Sequence, residues 1–151
     1  MICKVHSNRA QYKGKEPAKK IVVRSPMDAA EQFKEILKAA DPHDQEKEHF
    51  WVLGLSGKNQ TIRFIDLVSL GCLNASIVHP REVFRFAVLN ACSSIIVGHN
   101  HPGGDPNPSK EDILITRRLE KAGTILGIDL VDHIIITQPA GYTSLKEGGY
   151  L

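Results

Sequence analysis

The sequence predicts a single α/β domain in which a mixed β-sheet is sandwiched by helices. A chain of 151 residues, 42% of them hydrophobic, is long enough for one domain with a substantial core. Segments with helical spacing of apolar residues alternate along the chain with short apolar runs that are typical of strands. Some of these runs are joined by short turns and others by a helix, and this combination favours a mixed sheet.

The first half of the chain predicts a helix followed by a β-hairpin. The helix begins after Ser25, with an acidic residue three positions later at Asp28, and Pro42 stops it. Residues 50–55 predict a buried strand, and residues 61–70 predict the second arm of the hairpin.

The second half opens with another helix and a central strand. The helix begins at His79 and Pro80. Its expected apolar face consists of Val83, Phe84, Ala87, Val88 and Ala91. Residues 94–98 predict a strand covered on both faces. Residues 99–108 contain three prolines and two glycines, which predicts a loop.

The last predicted elements are a helix, a long strand and a closing hairpin or tail. Ser109 caps the helix, which we expect to run over residues 110–122 and to end at Gly123. The strand covers residues 128–137, and residues 141–151 form the closing segment.

Positive charge is concentrated at the start of the chain. Residues 1–24 hold seven basic residues and one acidic residue, a net charge of +6, whereas the remainder carries −4. We therefore divide the chain into a basic N-terminal arm, 1–24, and a domain, 25–151. The arm is a candidate for binding DNA phosphates. We favour a solubilising tail that orders partly as an edge strand at residues 21–24, because only Tyr12 is available to stack on a base.

Composition also indicates where the protein is located. No apolar run approaches the ~18 residues that a membrane span needs, and no signal peptide is evident. The three cysteines are far apart and form neither a disulfide framework nor a Cys-x-x-Cys metal pair. We expect a cytoplasmic protein with no membrane partner, and the sequence gives no indication of its oligomeric state.

One group of residues has the composition of a metal site. His99 and His101 follow a strand two positions apart, so their side chains share a face. Asp112 lies in the first turn of the next helix, on the face that includes Ile115 and Thr116, and this face points inward. Two imidazoles and a carboxylate suit Zn²⁺ and leave a fourth position open for water, as in catalytic zinc sites. Glu48 is a candidate general base.

Each of these residues also has a simpler interpretation. A His-x-His pair alone is weak evidence for a metal. Asp112 is also favoured at a helix start by the helix dipole, and Glu48 is also explained as one more charge in a solvated stretch. His133 precedes an apolar run, so we expect a structural histidine bonded to a backbone carbonyl, with a contact to the metal site as the alternative. The combination of strand, His-x-His, loop, serine and aspartate favours the metal site.

The same residues resemble a known signature. Residues 99–112 read His-Asn-His-Pro-Gly-Gly-Asp-Pro-Asn-Pro-Ser-Lys-Glu-Asp. This closely resembles the JAMM metalloprotease signature, His-x-His-x(10)-Asp with a serine three residues before the aspartate. Residues 78–83, 130–133 and 141–144 extend the resemblance to the RadC family, which is named for DNA repair. It covers residues 26–151.

The resemblance implies a JAMM/MPN domain with a cytidine-deaminase-like fold, in which His99, His101 and Asp112 bind zinc. It implies that Glu48 activates water, with Glu46 as the alternative, and that Ser109 stabilises the oxyanion of the scissile carbonyl. Gly103 departs from the serine usual in the family, which we interpret as loop variation. Family chains usually carry a helix-hairpin-helix-like region ahead of the domain. Only the arm and one helix precede the domain in this sequence, so the resemblance does not carry over a DNA role through such a region.

Three functions are considered. The leading one is a zinc-dependent hydrolase of amide or isopeptide bonds, with a peptide or isopeptide substrate. The second is a non-catalytic DNA- or protein-binding scaffold in DNA repair. A phosphodiester or nucleobase hydrolase ranks last, because the deaminase version needs a Cys-x-x-Cys zinc pair and a glutamate beside the histidine.

Overall fold

A computed structural model of the protein describes residues 20–57, 60–71, 78–137, 139 and 141–151. These ranges contain helices α1 (Pro26–Ala39), α2 (Pro42–Gln45), α3 (Pro80–Leu89) and α4 (Lys110–Leu126), and strands β1 (Glu48–Leu55), β2 (Ile62–Gly71), β3 (Ser94–His101), β4 (Asp129–Thr137) and β5 (Gly141–Ser144). Most of the basic arm and nearly all of the loop after β2 lie outside the described residues.

The five strands form one sheet in the order β2-β1-β3-β4-β5, with β3 and β4 parallel and every other pair antiparallel. The predicted mixed sheet is therefore confirmed. Helix α1 packs on one face, where Phe33 lies with Trp51 and Ile134 in one buried cluster. Helices α3 and α4 cover the other face, where Phe84 and Leu119 belong to a second cluster. Among the described helices, none has the length and apolar content to cross a membrane.

The start of α1 confirms the cap predicted at Ser25. Its hydroxyl accepts a hydrogen bond from the Asp28 N–H, and the Asp28 carboxylate accepts one from the Ser25 N–H, which together form a capping box. The edge strand expected just before it is only a single antiparallel bridge, between Val22 and Thr61.

Helix α4 continues beyond its predicted end. Gly123 lies inside the helix, where an added Cβ would overlap the carbonyl oxygen of Ile128, so this glycine permits close packing rather than ending the helix. The helix ends instead at Gly127, whose φ of 69° is the left-handed conformation that favours glycine. The predicted end at Gly123 was wrong because a glycine needed for packing resembles a C-cap in sequence.

The predicted apolar face of α3 was wrong at two positions. Val88 is 57% exposed and Ala91 is also exposed, whereas Phe86 is buried. The Phe86 ring packs edge-on against Phe64 of β2, with centroids 6.0 Å apart. Because this contact turns the buried face toward Phe86, Val88 faces solvent.

Strand β3 is three residues longer than predicted and includes both His99 and His101. The proline-rich segment therefore begins to turn only after His101. This extension matters for function, because a strand in the middle of the sheet is a more rigid support than a loop.

We expect Gly98→Ala to destabilise the fold. A Cβ at this position of β3 would overlap the ring of Phe33, which stacks on Trp51 with centroids 5.6 Å apart. Overpacking of this kind costs about 1–3 kcal/mol. Urea unfolding measures the loss, and Gly103→Ala is the matched control because nothing lies within 4 Å of its added Cβ. Equal unfolding free energies for the two variants would contradict the prediction.

Candidate metal centre

Two elements bring the predicted ligands together. His99 and His101 are alternate residues at the end of β3, so they lie on the same face of the sheet. Asp112 enters from the first turn of α4, where a capping box with Ser109 fixes it. The Asp112 N–H donates to Ser109 Oγ at 3.1 Å, and the Ser109 N–H donates to Asp112 Oδ2 at 2.7 Å.

The three side chains converge on one point. The Nε2 atoms of His99 and His101 are 2.9 Å apart. The Asp112 Oδ1 atom lies 3.2 Å from His99 Nε2, and Oδ2 lies 3.4 Å from His101 Nε2. Ligand atoms about 2.0–2.1 Å from a tetrahedral zinc are about 3.3 Å from one another, so these separations match such a site. The residues therefore fit a metal ion.

His101 is oriented from behind by the loop that follows β3. Its Nδ1 lies 2.7 Å from the carbonyl oxygen of Asp105. A carbonyl only accepts, so Nδ1 carries the hydrogen in this contact and Nε2 presents its lone pair to the site. This contact is typical of histidines that bind metals.

His99 is oriented from behind by a second histidine. Its Nδ1 lies 2.7 Å from His133 Nε2, and His133 Nδ1 lies 2.6 Å from the Thr116 hydroxyl. The hydroxyl also donates to the backbone carbonyl of Asp112 at 2.6 Å. The expected bond of His133 to a backbone carbonyl was wrong, and the alternative, a contact to the metal site, is confirmed. Its ring contacts His99 because parallel pairing of β3 and β4 places the two histidines on one face.

The titratable groups of the site have pKa values that are shifted in different directions. Burial lowers the pKa of His99 and, to a greater degree, that of His133. The hydrogen bond to Asp112 raises the pKa of His101, against the effect of partial burial. Burial alone would raise the pKa of Asp112, but its hydrogen bonds with His101 and His99 outweigh it and hold the pKa well below the usual range. The carboxylate is therefore ionised at neutral pH.

Glu48 lies at the start of β1, on the face of the sheet that carries the two histidines. The register pairs Phe50 with His99, and Glu48 lies two residues before Phe50 on the same face of β1. Its charge is the smallest of the influences on the two histidines: it opposes the lowering of the His99 pKa and adds to the raised pKa of His101. Glu46 is exposed and follows α2, outside the strand.

Asn100 fixes the main chain on both sides of Glu48. Its Oδ1 accepts from the His49 N–H at 2.7 Å, and its Nδ2 donates to the Lys47 carbonyl at 2.9 Å. The middle residue of the His-x-His pair therefore joins β3 to the start of β1, a role that sequence reasoning missed. No sequence signal marked this role, because residues 99–108 were predicted as a loop, where asparagine is common.

The fold and this donor set define an α/β domain with a site competent to bind a metal. Residues 23–150 match the family model described as the RadC-like JAB domain, so the chain belongs to this family.

Three relatives illustrate the similarity, all of them UPF0758 proteins, a name that states no activity. The protein of Staphylococcus carnosus is 50% identical over 87% of this chain, and that of Geobacillus sp. is 46% identical over 95%. The protein of Methanosarcina acetivorans is 53% identical over 72%. The matches cover 55%, 58% and 46% of these relatives, so the chain spans about half their length.

The metal-free protein is expected to lose stability in mild acid. His99 and His133 have pKa values below their unfolded value of about 6.5, so the unfolded chain binds more protons as pH falls through this value. Their contribution is present above pH ~6.5 and is lost below it. The raised pKa of His101 contributes with the opposite sign, but burial lowers the pKa of His49 as well, so one group stands against three.

The measurement is the urea midpoint in the presence of a chelator at pH 7.5 and at pH 5.5. We expect the lower midpoint at pH 5.5. A midpoint that is unchanged or higher in acid would show that the buried histidines are not neutral in the folded protein.

Proposed function

We propose that this chain is a zinc-dependent hydrolase of amide or isopeptide bonds. The observation that carries the proposal is the convergence of two imidazole Nε2 atoms and one carboxylate on a single point. His99, His101 and Asp112 would hold the metal. Three protein ligands are the number found in catalytic zinc sites, whereas structural sites use four.

Zinc suits this donor set better than magnesium or calcium, which prefer oxygen ligands. When bound, zinc supplies a Lewis acid that activates water and polarises a carbonyl oxygen at neutral pH. The protein contributes ligands that are already oriented, because Asp105 and His133 fix the far nitrogens of the two histidines.

Glu48 is proposed as the general base and acid. Its carboxylate would take a proton from the attacking water and return it to the nitrogen of the leaving amine, which balances the hydrolysis of an amide. The clamp of Asn100 on Lys47 and His49 supports this role, because it holds the main chain of Glu48 in place. Glu46 lacks this support and is exposed.

Ser109 is proposed to stabilise the oxyanion. Its Oγ accepts the hydrogen bond from Asp112 N–H, and this leaves the hydroxyl hydrogen to donate to a carbonyl oxygen that gains negative charge. Ser109 is the N-cap of α4 and is exposed, so a substrate has access to its hydroxyl. One serine would thus cap α4 and assist the reaction.

The domain at residues 25–151 is proposed to act on a peptide or isopeptide substrate, in keeping with the metalloprotease signature at residues 99–112. A scaffold that binds DNA or protein is the competing function. Its support is the +6 charge of residues 1–24. A site that fails to hold zinc would favour it.

Purified protein is expected to contain about one zinc ion per chain. His101→Ala removes one of three ligands and is expected to lose the metal. Mass spectrometry of metal content in protein purified without added zinc makes the measurement. His43→Ala is the control, because it removes an exposed imidazole outside the site and should keep the metal. Wild-type protein that stays free of metal even when zinc is supplied would overturn the proposal.

Glu48→Gln is expected to keep zinc and to lower the rate of hydrolysis about 10²–10⁴-fold, since an amide cannot transfer the proton. Glu46→Gln is the matched control and should retain activity. Both variants are assayed against a panel of amide and isopeptide substrates, with metal content measured in parallel. Activity retained in Glu48→Gln but lost in Glu46→Gln would move the role to Glu46.

A further inference from the structure

We propose that His133 and Thr116 are positioning residues that hold His99 in the tautomer with its hydrogen on Nδ1, so that Nε2 presents a lone pair to the metal. The inference rests on the proposed function of the site and concerns two residues outside its ligand set. Together with Asp112 they form a hydrogen-bonded relay behind His99.

The relay is buried throughout. His99, Thr116 and His133 each have 0% of their surface exposed, and Asp112 has 2%. No bulk water reaches these atoms, so each polar group must find its partner within the protein. The rings of His99 and His133 also border Phe50, which lies 6.3 Å and 5.6 Å from them between centroids.

The hydrogens of the relay are fixed by counting donors and acceptors from its far end. The Asp112 carbonyl only accepts, so the Thr116 hydroxyl donates its single hydrogen to that carbonyl. The hydroxyl oxygen must then accept from His133 Nδ1–H. A neutral His133 with hydrogen on Nδ1 has a lone pair on Nε2, and this lone pair accepts from His99 Nδ1–H. The lone pair of His99 is left on Nε2, which faces His101 and Asp112.

The reverse arrangement leaves a contact without a hydrogen. If His99 carried its hydrogen on Nε2, it would donate to Asp112 Oδ1 at 3.2 Å, and every hydrogen along the relay would point the other way. The Thr116 hydroxyl would donate to His133, and the oxygens of Thr116 and the Asp112 carbonyl would face each other at 2.6 Å with nothing between them. Two oxygen atoms at that distance repel unless they share a hydrogen.

The relay begins and ends on the same residue. The main-chain carbonyl of Asp112 anchors Thr116, and the side-chain carboxylate of Asp112 is itself part of the metal site. The first turn of α4 therefore sets both the position of one ligand and the tautomer of another. Interactions of this kind behind a metal ligand typically change metal affinity 10–100-fold.

Thr116→Val tests the relay, because valine keeps the shape of threonine and removes the hydroxyl. Zinc affinity of the metal-depleted protein, measured by competition with a chromogenic chelator, is expected to fall 10–100-fold. Thr116→Ser restores the hydroxyl and should bind within about threefold of the wild type. Thr116→Ser also removes a methyl group, and Ile115→Val is the control for that loss on the same buried face of α4. Equal affinities for Thr116→Val and Thr116→Ser would overturn the proposal.

A second measurement separates this inference from the proposed function. Two-bond ¹H–¹⁵N spectra of the histidine rings in metal-free protein report which nitrogen carries the hydrogen, with or without zinc binding. Hydrogen on Nδ1 of both His99 and His133 supports the relay, and hydrogen on Nε2 of either ring overturns it. Wild-type protein that binds no zinc but shows the expected tautomers would reject the proposed function and keep the relay.

Discussion

Burial of polar side chains at one end of the sheet is the constraint on which the site depends. His99, Asp112, Thr116 and His133 lie where water does not reach, and an unpaired polar group there would cost several kcal/mol. They therefore orient one another, and each contact removes a degree of freedom from its neighbour. Their hydrogen bonds use the polar atoms that face away from the candidate metal site. The two Nε2 atoms and the carboxylate oxygens are therefore left to face the site together.

The sheet makes this arrangement possible. Strand β3 is central, with β1 antiparallel on one side and β4 parallel on the other. The antiparallel neighbour places Glu48 on the face that carries the histidines, and the parallel neighbour brings His133 behind His99. One face of β3 points both histidines at α4, while Asn100, on the opposite face, ties the start of β1 in place. Each neighbour of β3 thus supplies one supporting group.

The sequence predicted the residues whose relation is local. His99 and His101 share a strand, and Asp112 follows within one loop, so spacing alone was informative. The mixed sheet between helices was predicted for the same reason, from periodicity within each segment. The contact of His133 with His99 depends on the register of two strands separated by a helix, and periodicity does not contain that register. Gly123 was misread as the end of α4 because its role depends on Ile128, a residue that follows the helix.

The start of α4 and the candidate metal site share the same residues. The capping box gives Ser109 and Asp112 the partners that a helix start needs, and the same box fixes the carboxylate that faces the histidines. A cap alone would be equally well served by other acidic or hydroxyl residues. Only a carboxylate at Asp112 both accepts from Ser109 N–H and offers an anionic oxygen to each histidine. The first turn of α4 therefore supplies the anion of the candidate site, and the hydrogen bonds of that turn hold the carboxylate in position.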